Sequence, residues 1–168
     1  MEEHIYSLRP LKEKDAERMV EMMQDAQTTQ YLQIGGPDYT AATALRFIAS
    51  TADESASVHR AVVDENDVYQ GTISLKNLDL NKKEAEYAIS MHPQAQGKGA
   101  AKAGSAGILE LAWSLGLNRV YLNVLAENER ANRFYQKFGF GYTHTTNMEF
   151  RGVTKALNWY ECTREDQK

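Results

Sequence analysis

The sequence predicts an α/β (α+β) fold in which a mixed, mostly antiparallel central sheet of about seven strands is flanked by about four helices. Two observations lead to this prediction. Some segments alternate apolar and polar residues, as strands do, and others repeat apolar residues every three or four positions, as helices do. Along the chain they follow the order β-α-α-β-β-β-α-β-α-β-β. The strand-helix-strand units within this order favour crossover connections, which pack helices onto a sheet.

Size and composition indicate one domain that spans residues 1–168, with 42% apolar and 25% charged residues. No apolar stretch approaches the roughly 20 residues of a transmembrane helix, and the acidic start at 1–4 does not resemble a secretory signal. We therefore expect a cytoplasmic protein without a membrane partner. The net charge of −4, without a long basic run, argues against a nucleic-acid partner.

Cysteine and histidine suggest neither a metal site nor a nucleophile. Cys162 is the only cysteine, so an internal disulfide is impossible, and its place in a predicted strand favours a buried structural side chain. The histidines His4, His59, His92 and His144 lack metal-site spacing, and we expect them at the surface or at sheet edges.

The first part of the chain is predicted to form a strand, two helices and a hairpin. Pro10 closes the first strand, and Met19, Val20 and Met23 then recur at helical spacing. Glycine and proline mark the loop that follows. The predicted segments are a strand over His4–Arg9, a helix over Leu11–Ala26, a loop over Gln33–Asp38, a helix from about Thr40 to Ala52, and hairpin strands over Val58–Asp64 and Val68–Leu75.

The second part of the chain alternates strands with helices. Apolar alternation predicts the strand that ends at Met91, and a stripe that includes Ile108 and Leu111 predicts the long helix after it. Gly104 and Gly107 lie inside this helix, where each costs up to about 1 kcal/mol relative to Ala, so we predict a close packing contact there. The predicted segments are strands over Glu84–Met91 and Arg119–Leu125, helices from about Lys98 to Leu115 (capped by Gly116) and over Asn128–Phe138, and final strands over Phe140–Phe150 and Val153–Thr163.

The segment 94–102, QAQGKGAAK, joins the strand that ends at Met91 to the long helix. Gly97 and Gly99 let the backbone approach a ligand without a Cβ clash. The first N–H groups of a helix have no partner inside the helix, and the helix dipole adds partial positive charge there. These features suit a pyrophosphate, to which Lys98 would add a charge. The alternative is a tight turn that needs glycine only for its geometry.

Two other phosphate-binding loops do not fit this segment. A Walker A loop requires Ser or Thr after its Gly-Lys pair, whereas Gly99 follows Lys98. A dinucleotide fingerprint requires Gly-x-Gly-x-x-Gly, and Lys102 stands at its third glycine position. Both types of nucleotide-binding protein are therefore disfavoured.

A second signature lies over 128–140, NERANRFYQKFGF. Asn128 is a good N-cap, Ala131 and Tyr135 share one face of the predicted helix, and Gly139 ends it. Taken alone, this segment is typical of an amphipathic helix that buries a tyrosine in the core.

Together, the two segments resemble the GNAT superfamily of N-acetyltransferases. Residues 96–101 resemble the acetyl-CoA pyrophosphate loop of that family, Gln/Arg-x-x-Gly-x-Gly/Ala, and residues 128–140 resemble its second cofactor signature. The predicted order of elements fits the family across nearly the whole chain. The segment 84–89, EAEYAI, resembles the branch that holds ribosomal-protein N-terminal, polyamine and amino-sugar acetyltransferases.

The resemblance implies acetyl-CoA as the cofactor, bound where the strand ending at Met91 and the strand starting at Arg119 separate. The backbone of Ile89–Met91 would pair with the pantetheine arm, and the amides of Gly97–Ala101 would hold the pyrophosphate. The implied cofactor-binding residues are Ile89, Ser90, Met91, Gln96, Gly97, Lys98, Gly99, Ala100, Ala101, Asn128, Ala131 and Tyr135.

The resemblance also implies direct attack of an amine on the thioester in a ternary complex. Tyr135 would protonate the leaving thiolate, and a backbone N–H near Met91 would stabilise the oxyanion. Some family members carry a glutamate base at the position of Asn123, which cannot act as a base. Glu86 is the preferred substitute, and Glu84 on the same strand face or an ordered water is left open as the base.

The acceptor is expected to be a primary amine of a small molecule or a protein N-terminus, bound by a monomer or homodimer. The predicted substrate-binding residues are Tyr31, Gln33, Tyr39, Glu84 and Asn123. The last strand pair, around 144–151, would contribute to the same wall of the substrate site. The segments that carry these residues are also compatible with ordinary loop surface. The alternatives are a non-catalytic acyl-CoA-binding or sensing module, and an interaction protein whose glycines serve only turns.

Overall fold

The computed structural model describes residues 5–167, which form a seven-stranded sheet in the order β1-β2-β3-β4-β5-β7-β6. Strands β4 and β5 are parallel, and the other neighbouring strands are antiparallel. The predicted mixed, mostly antiparallel sheet is confirmed. The strands are β1 Ser7–Arg9, β2 Val58–Val63, β3 Tyr69–Asp79, β4 Glu84–Met91, β5 Arg119–Leu125, β6 Gly141–Phe150 and β7 Val153–Thr163. The helices are α1 Ala16–Gln24, α2 Ala26–Thr29, α3 Ala41–Ser50, α4 Ala100–Ser114 and α5 Glu129–Phe138.

Helices cover both faces of the sheet. On one face, α1 and α3 pack over β2 and β3 in a cluster that includes Met19, Met22 and Ala61. On the other face, α4 and α5 pack over the centre of the sheet in a cluster that includes Val62 and Ile108. Since side chains alternate along a strand, neighbouring residues of β2 supply the two clusters. None of the helices within residues 5–167 is both long and apolar enough to cross a bilayer.

The first helical segment is interrupted, which the sequence analysis did not predict. The helix expected over Leu11–Ala26 consists of a 3₁₀ turn followed by α1, and the chain leaves helical geometry at Asp25. The Asp25 carboxylate accepts a hydrogen bond from the Thr28 amide at 2.9 Å and thereby caps the short helix α2. An aspartate that caps the next helix cannot also continue the previous one. His4 lies outside the described residues.

The hairpin strand β3 is longer than predicted. It continues past Leu75 to Asp79 through an irregularity after Lys76, and Asn77 there has a φ of 51°. The Asp79 carboxylate accepts hydrogen bonds from the Asn81 and Lys82 amides, which closes the turn into β4. Lys76 is thereby placed opposite Glu86 of β4.

The buried positions confirm one prediction and correct another. Cys162 is 1% exposed, as expected for a structural side chain in β7. His92, predicted at the surface or an edge, is 3% exposed. Its Nδ1 accepts a hydrogen bond from the Gln94 amide, and its Nε2 lies 2.9 Å from the Glu21 carboxylate. Both ring nitrogens have partners, which allows the imidazole to be buried.

The glycines inside α4 let this helix lie close to the sheet, as predicted. A Cβ added at Gly104 would lie 2.8 Å from Val62 Cγ2, and one added at Gly107 would lie 2.9 Å from Leu8 Cδ1. A methyl group at either position would overlap a packed side chain. The lower helix propensity of glycine is therefore offset by close helix–sheet packing.

We expect Gly104→Ala to lower the free energy of unfolding by about 1–2 kcal/mol. Overpacking typically costs about 1–3 kcal/mol, which outweighs a helix-propensity gain of up to about 1 kcal/mol. Denaturant unfolding measures the change. In a Val62→Ala background the clashing methyl is absent, so the same substitution should lose most of its penalty. An equal penalty in both backgrounds would contradict the packing explanation.

Candidate active site

The central opening of the sheet lies between its two parallel strands. Residues 84–86 of β4 pair with 119–121 of β5, and beyond this point the strands separate. The end of β4 stays on β3, where Met91 pairs with Gly71. The backbone edge of 87–91 that faces β5 is therefore available to a ligand. The opening lies at the carboxyl ends of parallel strands, where open α/β sheets commonly bind ligands.

A cavity of about 1570 Å³ runs through this opening and extends under α1 and α3. Most residues selected from the sequence line it. These residues are Tyr31, Gln33, Tyr39, Glu86, Ile89, Ser90, Met91, Gln96, Gly97, Gly99, Ala100, Ala101, Asn123, Asn128, Ala131 and Tyr135. Glu84 and Lys98 are not among the lining residues. The structure thus brings together the two signatures, which are far apart in sequence.

The glycine-rich loop has the backbone geometry that requires glycine. Gly97 and Gly99 have φ values of 78° and 89°, in the left-handed region that other residues adopt at a cost. Helix α4 begins directly after them, at Ala100, so the amides of its first turn point towards the loop without partners inside the helix. The dipole of this 15-residue helix adds partial positive charge at the same point. The loop is therefore suited to bind an anion.

Three basic side chains that the sequence analysis did not select lie at this end of the cavity. Lys102, Arg130 and Arg133 line it beside the loop. Arg130 also donates a hydrogen bond to the Gln96 side-chain oxygen at 2.5 Å and so ties the loop to α5. The sequence could have indicated them, because all three lie within the two signatures. Lys102 is on the first turn of α4, and Arg130 and Arg133 are on α5. Their charges favour an anionic ligand.

The turn between β5 and α5 is fixed by two asparagines. The Asn128 side-chain oxygen accepts a hydrogen bond from the Ala131 amide at 3.3 Å, which confirms it as the N-cap. The Asn132 amide group donates to the Leu125 and Asn128 carbonyls, and its oxygen accepts from the Tyr160 hydroxyl at 2.7 Å. Asn132 therefore anchors the end of β5 to α5 and β7, a role that the sequence gave no reason to expect.

Tyr135 lies at the inner wall of the cavity and is 7% exposed. Its ring packs edge-on against Tyr87 and Phe140, with centroids 5.7 and 5.8 Å away. Burial raises the pKa of the Tyr135 hydroxyl well above its usual range, although a hydrogen bond with Tyr87 lowers it slightly. Tyr135 is therefore a neutral hydroxyl at physiological pH and can act as a proton donor.

Glu86 lies on the other strand face, at the point where β4 and β5 separate. Its side chain is 18% exposed, and its carboxylate lies 3.3 Å from Lys76 Nζ. The Asn123 amide group approaches the same carboxylate at 3.5 Å. Asn123 and Glu86, the two positions that the sequence analysis compared as candidates for the base, are thus direct neighbours.

Glu84 is engaged elsewhere. Its carboxylate accepts a hydrogen bond from Arg119 at 2.8 Å, and Arg119 also donates to Glu161 at 2.7 Å. This network lies where β4 and β5 still pair, away from the opening. The structure does not bring Glu84 to the cavity, so its predicted contact with a substrate has no geometric support.

The loop over Tyr31–Tyr39 forms one wall of the cavity. Arg151, in the turn between β6 and β7, holds it in place by donating to the Thr29 and Leu32 carbonyls at 3.0 and 2.7 Å. The last strand pair contributes to this wall as expected, but through the apolar residues Met148, Phe150 and Leu157. Asn147 and Glu149 are exposed and do not line the cavity, because neighbouring strand residues face opposite ways.

His59, expected at the surface or an edge, instead lines the cavity beside Phe47 of α3. Its ring lies edge-on to Phe47 with centroids 5.0 Å apart, and its Nδ1 is 2.6 Å from the Ser74 hydroxyl. Burial lowers the pKa of His59, and the charges of Lys76 and Arg60 lower it further. The imidazole is therefore neutral at pH 7.

Known proteins share this architecture. Spermidine N(1)-acetyltransferase of Escherichia coli K12 is 28% identical over 148 residues, which cover 88% of this chain and 78% of the relative. The crystal structure of spermidine N-acetyltransferase from Vibrio cholerae, in complex with CoA and spermine, has a TM-score of 0.84 at 21% identity and covers 96% of both chains. The microcin C7 self-immunity acetyltransferase, in complex with acetyl-CoA and AMP, has a TM-score of 0.84 at 15% identity over 94% of this chain and 92% of its own.

A family match identifies the chain. Residues 7–141 match the family described as Acetyltransferase (GNAT) domain, which is most of the sequence. The match includes the opening between β4 and β5, the glycine-rich loop and α5. The chain therefore belongs to the GNAT acetyltransferase family, whose members transfer an acetyl group from acetyl-CoA to an amine.

Proposed function

We propose that this protein acetylates a primary amine by direct transfer from acetyl-CoA, with both substrates bound in one cavity. The observation that carries the proposal is the position of the anion-binding loop at the open end of β4, beside a buried tyrosine and a carboxylate. Family membership supports catalysis over a non-catalytic acyl-CoA-binding module. Two structural neighbours were solved in complex with CoA or acetyl-CoA, which supports the choice of cofactor.

In the proposed complex, the amides of Gly97–Ala101 hold the pyrophosphate of acetyl-CoA. Lys102, Arg130 and Arg133 add positive charge around the phosphates. The pantetheine arm lies along the free edge of β4 and pairs with the backbone of Ile89–Met91. This path leads the thioester to the point where β4 and β5 separate, between Glu86 and Tyr135. Two groups suited to proton transfer therefore flank the reacting carbonyl.

The amine must be neutral to attack, and a lysine-like amine has a pKa of about 10.4. The Glu86 carboxylate, directly or through a water molecule, takes the proton as the amine nitrogen bonds to the carbonyl carbon. A backbone N–H near Met91 stabilises the oxyanion. The carbon–sulfur bond then breaks, and Tyr135 gives its proton to the departing thiolate. Tyr135 is protonated at neutral pH, and burial raises the pKa of its hydroxyl, so the group can also act by hydrogen-bonding to the thiolate sulfur.

Binding of the cofactor can be tested at the loop with a matched pair of glycines. Gly99 and Gly116 flank α4, both have positive φ, and an added Cβ would meet no atom within 4 Å at either site. Alanine at each costs about 1–2 kcal/mol of strain, but only Gly99→Ala disturbs the loop amides. We expect it to weaken CoA binding about tenfold and to reduce the rise in melting temperature that CoA causes.

The control Gly116→Ala should lose similar stability and keep the response to CoA. Equal CoA responses in the two variants would contradict the assignment of the loop. A folded wild-type protein that shows no thermal shift with CoA or acetyl-CoA at millimolar concentration would overturn the proposed function itself.

For the base, we expect Glu86→Gln to reduce kcat at neutral pH about 100-fold, the scale typical of general-base catalysis. Acetyl-CoA affinity should be retained, because the side chain lies away from the phosphate loop. Glu84→Gln is the control, since Glu84 is on the same strand and bonded to Arg119 outside the cavity. Steady-state kinetics over a pH series measures both. Rates of Glu86→Gln that match wild type at every pH would exclude it from the mechanism.

For the acid, Tyr135→Phe removes one hydroxyl and keeps the packed ring. We expect kcat to fall about 10- to 100-fold, with a smaller change in the Kd for acetyl-CoA. Tyr160→Phe is the control, because its hydroxyl bonds to Asn132 and its ring neighbours Tyr135, with centroids 6.1 Å apart. That variant should lose stability more than turnover. Unchanged turnover in Tyr135→Phe would assign the residue to packing alone.

A further inference from the structure

The part of the cavity beyond the thioester, here called the acceptor end, has a floor built from three neighbouring strands. Cross-strand pairs place His59 beside Ser74, Ser74 beside Ala88, and Lys76 beside Glu86. All of these residues line the cavity. They occupy the sheet face that α1 and α3 cover.

The formal charges of the ionisable side chains on this floor sum to zero. Glu86 is the one carboxylate on it among the described residues, and Lys76 Nζ lies 3.3 Å from that carboxylate. His59, the third ionisable group, is neutral at pH 7 because burial and the charges of Lys76 and Arg60 lower its pKa. The formal charges of the floor therefore cancel.

The elements that cover the acceptor end add apolar and neutral polar side chains. Its cover includes Met19, Met22, Met23, Tyr31, Tyr39 and Phe47, together with the neutral polar residues Gln27, Thr28, Gln30, Gln33 and Thr43. The methionines are each at most 4% exposed and can adapt to the shape of an apolar ligand.

The acidic residues of the covering elements are engaged or face outwards. Glu21 lies 2.9 Å from His92 Nε2, and Asp25 accepts from the Thr28 amide and hydroxyl. Glu17 and Asp38 are exposed, and neither lines the cavity.

The other carboxylates that line the cavity belong to the cofactor end. Glu127 and Glu129 lie at the turn between β5 and α5, beside Arg130. Glu127 also accepts a hydrogen bond from Lys155 at 2.5 Å. They do not supply the acceptor end with negative charge.

We infer that the acceptor is a monoamine whose reacting nitrogen is its only cation and whose body is apolar or aromatic, rather than a polyamine. Burying a cation without a partner costs free energy. The acceptor end supplies one carboxylate, already opposite Lys76, and a cover of apolar and uncharged polar side chains. The relative from Escherichia coli is named for its action on spermidine. Spermidine carries further protonated amines, which would have no charged partner at the acceptor end. This inference rests on the proposed function and narrows its substrate class.

The test compares kcat/KM for 2-phenylethylamine and isoamylamine with kcat/KM for spermidine, under saturating acetyl-CoA. A short peptide that begins with phenylalanine forms a further arm, which distinguishes a free amine from a protein N-terminus. We expect at least one of the apolar monoamines or the peptide to exceed spermidine by about tenfold or more. A preference for spermidine would overturn the inference and leave the proposed function standing.

A charge variant gives a second, independent readout. Gln33→Glu adds one carboxylate to the wall of the acceptor end with little change in shape. It should raise the ratio of kcat/KM for spermidine over monoamine several-fold, because the new charge offers a partner to a second ammonium group. Asn66→Asp adds the same charge in the exposed turn between β2 and β3 and should leave the ratio unchanged. Equal shifts in both variants, or no shift in either, would count against the inference.

Failure of the proposed function has a different signature. In that case CoA would not raise the melting temperature, and no amine in the panel would be acetylated. If CoA stabilises the protein while none of the tested amines reacts, the monoamine inference is wrong although cofactor binding stands.

Discussion

The site depends on the early end of pairing between β4 and β5. After residues 84–86 and 119–121, each strand follows its antiparallel partner. The end of β4 stays on β3 through Met91 and Gly71, while the end of β5 stays on β7 through Leu125 and Leu157. The separation leaves a backbone edge free in the middle of the sheet, where unpaired polar groups would otherwise be costly. A ligand with amide groups of its own can satisfy that edge.

The groups that surround this opening come from both connections that flank it. The turn after β4 presents amides and leads into α4, whereas the turn after β5 presents Asn128 and leads into α5. The hydrogen bond from Arg130 to Gln96 joins the two turns, and Asn132 ties the second one to β7. An end suited to anions and an acceptor end whose formal charges cancel thus lie on opposite sides of the gap. The first end suits a negatively charged acyl carrier, and the second suits an amine with an apolar body.

Much of the architecture followed from local patterns. The bounds of β4 and β5 agree with the alternation of their residues, and the loop 96–101 and the cap at Asn128 agree with signatures read directly from the chain. The errors in the bounds of elements occurred where side-chain capping or strand pairing decides the end of the element. Asp25 ends one helix by capping the next, and β3 extends beyond Leu75 because its irregular end still pairs with β4.

The sequence by itself determined the order of elements, the glycine-rich loop and the family, because each depends on residues that are close along the chain. Tertiary structure decided which carboxylate reaches the cavity. Glu84 and Glu86 are equivalent in the alternating pattern, but Arg119 engages the first, while the second lies where the strands separate. It also decided that Lys76 and His59 belong to the acceptor end. Strand register across β2, β3 and β4 creates these neighbours, and register depends on contacts between distant segments.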